Sequence, residues 1–188
     1  MNGRGREVAE LRREKKVDVI CVQETRWKRN KTKKLGDGYK LYYSGANKQG
    51  RNLVGIVLSG ELKNAMIQVH RKNGGGEILN IISAYAPQVG CTEDEKGNFW
   101  RDMDGVIQEL EEHERVILGA DENGHVGSEN EVIGRLHRGH GIGERNPEGE
   151  SVVDFAVSFD LAIVNTFFKK KMEHLITYRC LGRCSQID

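Results

Sequence analysis

The order of apolar and polar positions predicts strands at several places. Val17-Asp18-Val19-Ile20-Cys21-Val22-Gln23 is nearly continuous and strongly β-favouring, as expected of a strand covered on both faces. Tyr39 to Ser44 and Leu53 to Leu58 read as two strands joined by a Gly-, Asn- and Lys-rich turn, so a hairpin is expected. Met66 to His70 and Ile78 to Tyr85 form a second pair around Asn73-Gly74-Gly75-Gly76. No Gly-Lys-Ser/Thr follows that glycine triplet and no helix opens from it, so it reads as a hairpin turn and not a phosphate loop. Val116-Ile117-Leu118 is a short aliphatic strand ended by Gly119, and Leu161 to Thr166 predicts another.

Helical spacing appears in other stretches. Val8 and Leu11 share a face of a first helix that runs to about Lys16. Phe99, Met103, Val106, Ile107 and Leu110 form a core stripe within Asp94 to His113. Val152, Val153, Phe155, Ala156 and Phe159 do the same within Gly149 to Asp160. Val126 to Pro147, rich in Gly, His, Arg and Asn, is expected to be a long functional or mobile loop. Strands joined by short turns must be antiparallel. Two mixed, largely antiparallel sheets packed face to face, with helices outside, would bury both faces of each apolar strand. The expected fold class is α/β.

Composition narrows the picture. One domain with a real core is the prior at 188 residues. Lys+Arg 29 against Asp+Glu 28 leaves no net-charge argument for a polyanionic partner, so only local clusters can make one. Cys21, Cys91, Cys180 and Cys184 show no zinc pairing and no disulfide framework, and Cys21 reads as a buried thiol. A reducing compartment, nuclear or cytoplasmic, follows. No apolar run approaches a membrane span, and the chain starts without a signal-peptide pattern.

Candidate chemistry gathers where strands end. Asp121, Asn123 and His125 follow Gly119 at alternate positions, so an extended backbone would turn an acid, an amide and an imidazole to one side. Two readings fit: a polar turn, or a group that meets a metal or a phosphate. Glu24 leaves the first strand, where α/β proteins place their chemistry. Pro87 stops the strand that delivers Tyr85, whose phenol can donate to a phosphate oxygen or lie over the core. Arg26, Lys28, Arg29 and Lys31 belong to a basic run through Lys34 with Trp27 near its start. That run is either a solvated loop or a track for a phosphate backbone. Lys169-Lys170-Lys171 is a second basic patch. His137 and His140 supply two ligands where zinc needs three or four. Acids, an amide and a phenol without an evident nucleophile suggest metal-assisted phosphoester hydrolysis.

Cys21-Val22-Gln23-Glu24-Thr25, Tyr85-Ala86-Pro87, Gly119 to His125 and Ser185-Gln186-Ile187-Asp188 occur in that order. Together with Gly141 to Glu150 and Asn165-Thr166-Phe167-Phe168, this set resembles the endonuclease/exonuclease/phosphatase family, and within it the LINE-type retrotransposon branch. The resemblance covers nearly the whole chain. It implies a four-layer α/β/β/α sandwich and Mg²⁺-dependent phosphodiester hydrolysis, with Mn²⁺ as a substitute. By matching motif, Glu24 binds the metal and Asp121 acts on the attacking water. Asn123 holds a phosphate oxygen, Tyr85 contacts the scissile phosphate, and Asp188 orients a catalytic histidine. DNA is the implied partner, with no membrane and no obligate protein partner.

The chain departs from the family's pattern in places. The strand that opens the family's domain, with its supporting Asn, has no match here, and neither does the Ser-Asp-His segment that supplies the histidine. A domain incomplete at both ends is therefore expected. Glu122 stands where the family has Phe or another apolar residue. The first expectation is a DNA-nicking endonuclease. The alternatives are an inactive retroelement-derived remnant that at most binds nucleic acid through Arg26–Lys34 and Lys169–Lys171, or a phosphatase of small phosphoesters.

Overall fold

The computed structural model describes residues 14–24, 31–36, 38–44, 54–62, 78–88, 90–128, 134–176, 178–180 and 183–185. The chain divides into two compact units: Met1–Tyr85 with Glu112–Ala120, and Ala86–Glu111 with Asp121–Asp188. The expected α/β class is what it shows, with antiparallel and parallel strand pairing and few helices. Residues 1–13, and with them most of the expected first helix, lie outside the described residues, as does the expected strand Met66 to His70.

In the first unit β1 (Val19–Gln23), β2 (Lys31–Lys34), β3 (Lys40–Tyr43) and β4 (Val54–Leu58) form one antiparallel sheet in the order β1-β4-β3-β2. Val57 stands between Ile20 and Leu41, and Val57 and Leu41 are each 1% exposed. This pair of contacts explains why the β3–β4 hairpin was legible: both strands needed apolar residues on the same face. The basic run departs from expectation, because Lys31–Lys34 is neither a loop nor separate from the sheet. It is the edge strand, paired on β3 from Lys31↔Tyr43 to Lys34↔Lys40. Lysines suit an edge, since their hydration discourages another chain from pairing there.

β5 (Leu79–Tyr85) pairs with β6 (Arg115–Asp121). Arg115 N donates to Ile78 O at 3.0 Å and Ala86 N to Asp121 O at 2.9 Å, so both strands advance together and the pair is parallel. β5 also runs against β1 and β4. At Gly119 in β6, a Cβ would lie 2.5 Å from Cys21 Sγ and 2.7 Å from Cys21 Cβ. The missing side chain is what lets β1 come this close. The Cys21 thiol reaches Ile82 O at 3.9 Å, and burial pushes its pKa up.

In the second unit α1 (Glu93–Gln108) opens on a capping box. Glu95 N donates to Thr92 Oγ1 at 3.2 Å, and Thr92 N donates to Glu95 Oε2 at 2.9 Å. The helix ends before His113 because Leu110 N turns back to Ile107 O at 3.1 Å, and the chain then enters β6. The expected stripe is out of phase at one position. Val106 is 42% exposed, while Phe99, Met103, Ile107 and Leu110 turn inward as expected, with Trp100 beside them. Trp100, at the other edge of that stripe, packs against Phe155 at 5.3 Å between ring centroids.

α2 (Pro147–Ser158) starts ahead of the expected Gly149, because Asn146 caps it and Pro147 fits the first turn. Its Val152 and Val153 enclose Val126, with Trp100 and Ile163 packed around them. The strand expected at Leu161 to Thr166 is instead a 3-10 turn at Val164–Phe167. Thr166 N and Oγ1 both donate to Ile163 O, at 3.0 and 2.8 Å, and this local bonding wins over strand pairing. The described part of the expected mobile loop is packed: Leu136 and His137 are buried, and Ile163 N donates to Leu136 O at 2.8 Å. α3 (Met172–Leu175) leads to an antiparallel pair, β7 (Tyr178–Cys180) with β8 (Arg183–Ser185). Among the described residues no helix is long and apolar enough to cross a membrane.

Gly119→Ala is expected to destabilise the chain by about 1–3 kcal/mol, the usual range for forcing atoms into a filled space. Urea unfolding followed by circular dichroism measures it. The loss should shrink in a Cys21→Gly background, and an equal loss in both backgrounds would show that this contact is not the cause.

Candidate functional site

In the first unit the site is built at the exit of β1. Gln23 Nε2 donates to Gly119 O at 3.1 Å and pins the end of the strand. Glu24 follows with φ 51°, in the left-handed region that a residue with a side chain seldom adopts. That bend turns its carboxylate toward the end of β5, where Tyr85 OH donates to Glu24 Oε1 at 2.7 Å. Tyr85 is 8% exposed, so the phenol is fixed by packing before it meets the acid. Strained backbone of this kind costs on the order of 1–3 kcal/mol and clusters at functional sites.

In the second unit Asp121 closes β6 and the chain turns at once. Asn123 also has φ 51°, and its N–H donates to Asp121 Oδ1 at 3.1 Å, an Asx turn. Asn123 Nδ2 donates to Ala86 O at 2.9 Å, which engages one of the two N–H groups of the amide. The expected extended run, with Asp121, Asn123 and His125 on one side, therefore does not occur. The left-handed residue breaks the alternation, and Asp121 and Asn123 are joined by a turn. His125 goes elsewhere: its N–H donates to Asn146 Oδ1 at 2.8 Å, and Asn146 N returns a bond to His125 O at 3.1 Å.

Asn146 was not among the residues singled out from sequence. Its Oδ1 also accepts from Gly149 N at 2.8 Å, so one side chain caps α2 and holds the turn after Asn123. A Cβ at Gly149 would run into the His125 carbonyl, so the turn and the helix can meet only with glycine there. The Asn-Pro pair ahead of a helical pattern was the available signal.

Close by, Lys96 Nζ lies 2.9 Å from Glu93 Oε1 and 3.1 Å from Glu148 Oε1. The bond from Lys96 holds the Glu148 carboxyl below its ordinary range, and His125 adds to this in the same direction. The bonds to Glu93 and then Glu148 hold the Lys96 ammonium above its ordinary pKa.

Arg26, Lys28, Arg29 and Asp188 lie outside the described residues, and Lys31 opens the edge strand β2. His137 and His140 serve the packed loop. His137 is fully buried with Nδ1 accepting from Gly139 N at 3.1 Å, and His140 N donates to Thr166 O at 3.2 Å. Among the described residues, no three His, Cys, Asp or Glu side chains gather as a ready-made metal cage.

An α/β protein with acid, phenol and amide groups at its strand ends is the class these observations define. The chain is similar to craniofacial development protein 2 of Bos taurus, 27% identical over 171 residues, covering 86% of this chain and 28% of that protein. It is equally similar to craniofacial development protein 2 of Tragulus javanicus, 27% identical, covering 86% of this chain and 29% of the relative. The chain thus spans under a third of the length of the curated relatives it matches. No family model matches it. No solved structure matches it.

The depressed Glu148 carboxyl fixes a sign. Its contribution to stability is present above the unfolded carboxylate value of about 4.3 and is lost as pH falls through the lower folded value. Lys96→Met is therefore expected to lower the thermal midpoint at neutral pH and to lose that effect in strong acid. A midpoint gap that persists at low pH would mean that the lysine acts by packing alone.

Proposed function

We propose that the chain carries out metal-assisted hydrolysis of nucleic-acid phosphodiesters, in the manner of the endonuclease/exonuclease/phosphatase family and its DNA-nicking retrotransposon branch. The observation that carries this reading is the hydrogen bond from Tyr85 to Glu24 at a left-handed strand exit. A carboxylate aimed by a buried phenol is a poor stabilising device on an exposed edge, but a good preorganised ligand. The similarity to craniofacial development protein 2 supports the same reading over most of the chain.

The donor set suits magnesium. Mg²⁺ takes one or two carboxylates and fills the rest of its shell with water and substrate phosphate, so it needs no protein cage. Glu24 is the residue that would hold it. When bound, the ion supplies charge neutralisation at the phosphate and acidifies water. The chain's own groups do the rest. Asp121 orients the attacking water and takes its proton, and its Oδ1 is already positioned by the Asn123 N–H. Asn123 presents its amide to a phosphate oxygen, and its bond to Ala86 O limits the rotation of that amide. Tyr85 has one hydroxyl proton, now donated to Glu24; in this scheme substrate binding moves that bond from Glu24 to the scissile phosphate and leaves the carboxylate oxygen for the ion. Water attack then breaks one P–O bond and leaves a nick with a primer end. Asp188 orients a histidine in this scheme. The place of action is nuclear or cytoplasmic.

Supercoiled plasmid tests the proposal. The full-length protein is expected to convert it to open circles with Mg²⁺ or Mn²⁺ and to stop in EDTA. Glu24→Ala should abolish nicking, and Tyr85→Phe should slow it by about 10²-fold, as for loss of one transition-state donor. Nicking that survives Glu24→Ala, or none by the folded full-length protein, would overturn the proposal.

A further inference from the structure

The basic patch after the 3-10 turn lies away from Glu24 and Asp121 in sequence, and the proposed chemistry gives it no part. It is mounted on a rigid base. Thr166 is fully buried and joins two segments: its Oγ1 accepts from Arg138 N at 3.1 Å and its carbonyl accepts from His140 N at 3.2 Å. Two aromatic residues follow. Phe167 lies under the Arg138 guanidinium, 5.6 Å from ring centroid to Cζ. Phe168 is 58% exposed, a large ring held in water at the end of a locked turn.

Lys169, Lys170 and Lys171 continue directly from Phe168, and all three are exposed. Acid is sparse around them: Glu173 lies 4.0 Å from Lys171 and 3.8 Å from His174. Among the described residues no carboxylate pairs with Lys169 or Lys170. An exposed ring at the head of a lysine run, with an exposed arginine over the preceding ring Phe167, is a combination suited to unpaired nucleic acid. The cations take the phosphates, and the ring takes a base face that a duplex keeps stacked. A solvated lysine run alone would not need an aromatic exposed at its head.

We infer that Arg138, Phe168, Lys169 and Lys170 form an accessory site for single-stranded nucleic acid, with Phe168 stacking on a base and the cations holding the flanking phosphates. It would hold an unpaired strand of the substrate, and it rests on the phosphodiester reading for that role alone. Binding itself needs no metal and no turnover.

The test is fluorescence anisotropy in EDTA with a labelled oligothymidylate of about 12 nucleotides, within the usual site size for such surfaces. A duplex of the same length and anionic phosphatidylserine vesicles serve as the other probes. Phe168→Ala is expected to weaken oligothymidylate binding roughly tenfold and duplex binding less than twofold, and Phe168→Tyr should restore it. Lys169→Gln with Lys170→Gln should reduce the log–log salt slope by about 1.4, at about 0.7 for each charge on a single strand. Unchanged oligothymidylate binding in Phe168→Ala, equal losses on single strand and duplex, or a preference for the vesicles would each overturn the inference. Because EDTA suppresses nicking, failure here leaves the Glu24 test standing, and failure there leaves this one standing.

Discussion

The absence of a side chain at Gly119 allows the Cys21 sulfur to sit 2.5 Å from where a Cβ would stand. Much of the first unit follows from that approach. With β1 held against β6, Gln23 reaches the Gly119 carbonyl, and the residue after it leaves the strand at a set point. A left-handed turn at Glu24 then brings its carboxylate to the hydroxyl of Tyr85. Neither residue fixes this geometry by itself. The phenol is held by burial, the acid is held by backbone, and the short bond between them is the result.

The second unit reaches similar precision by hydrogen bonding. Asn146 accepts from both His125 and Gly149, and so ties the chain beyond Asn123 to the start of α2. Asp121 and Asn123 are in turn locked to each other and to Ala86. These short polar links carry little net energy singly, on the order of 1 kcal/mol each. Their value lies in direction. They leave the two side chains few orientations, and preorganisation of this kind is what a charged substrate needs.

The lysines divide by surroundings more than by number. Those of β2 lie along the edge of a sheet, where repelling another strand accounts for them. Those after Phe168 follow an exposed ring, which edge protection does not require. A charge run in a sequence is ambiguous between these uses, and only its neighbours separate them.

Much of the fold was legible because burial leaves a rhythm. Val19–Gln23, the β3–β4 hairpin and the helical rows of α1 and α2 announced themselves by period, since each needed apolar residues on defined faces. Glu24, Tyr85, Asp121 and Asn123 stood out because each follows the end of such a rhythm. The pattern could not show the left-handed turn at Asn123, the 3-10 turn at Val164–Phe167, the edge strand at Lys31–Lys34, or Asn146 as the link between turn and helix. Three of these depend on a backbone group elsewhere in the chain, Ala86 for Asn123, Tyr43 to Lys40 for the lysine strand and His125 for Asn146, while the 3-10 turn is closed locally by Thr166 on Ile163. The order of residues determined which segments must be buried. Tertiary structure decided where every unpaired N–H and carbonyl finds its partner, because that partner lies far along the chain and leaves no trace in the local pattern.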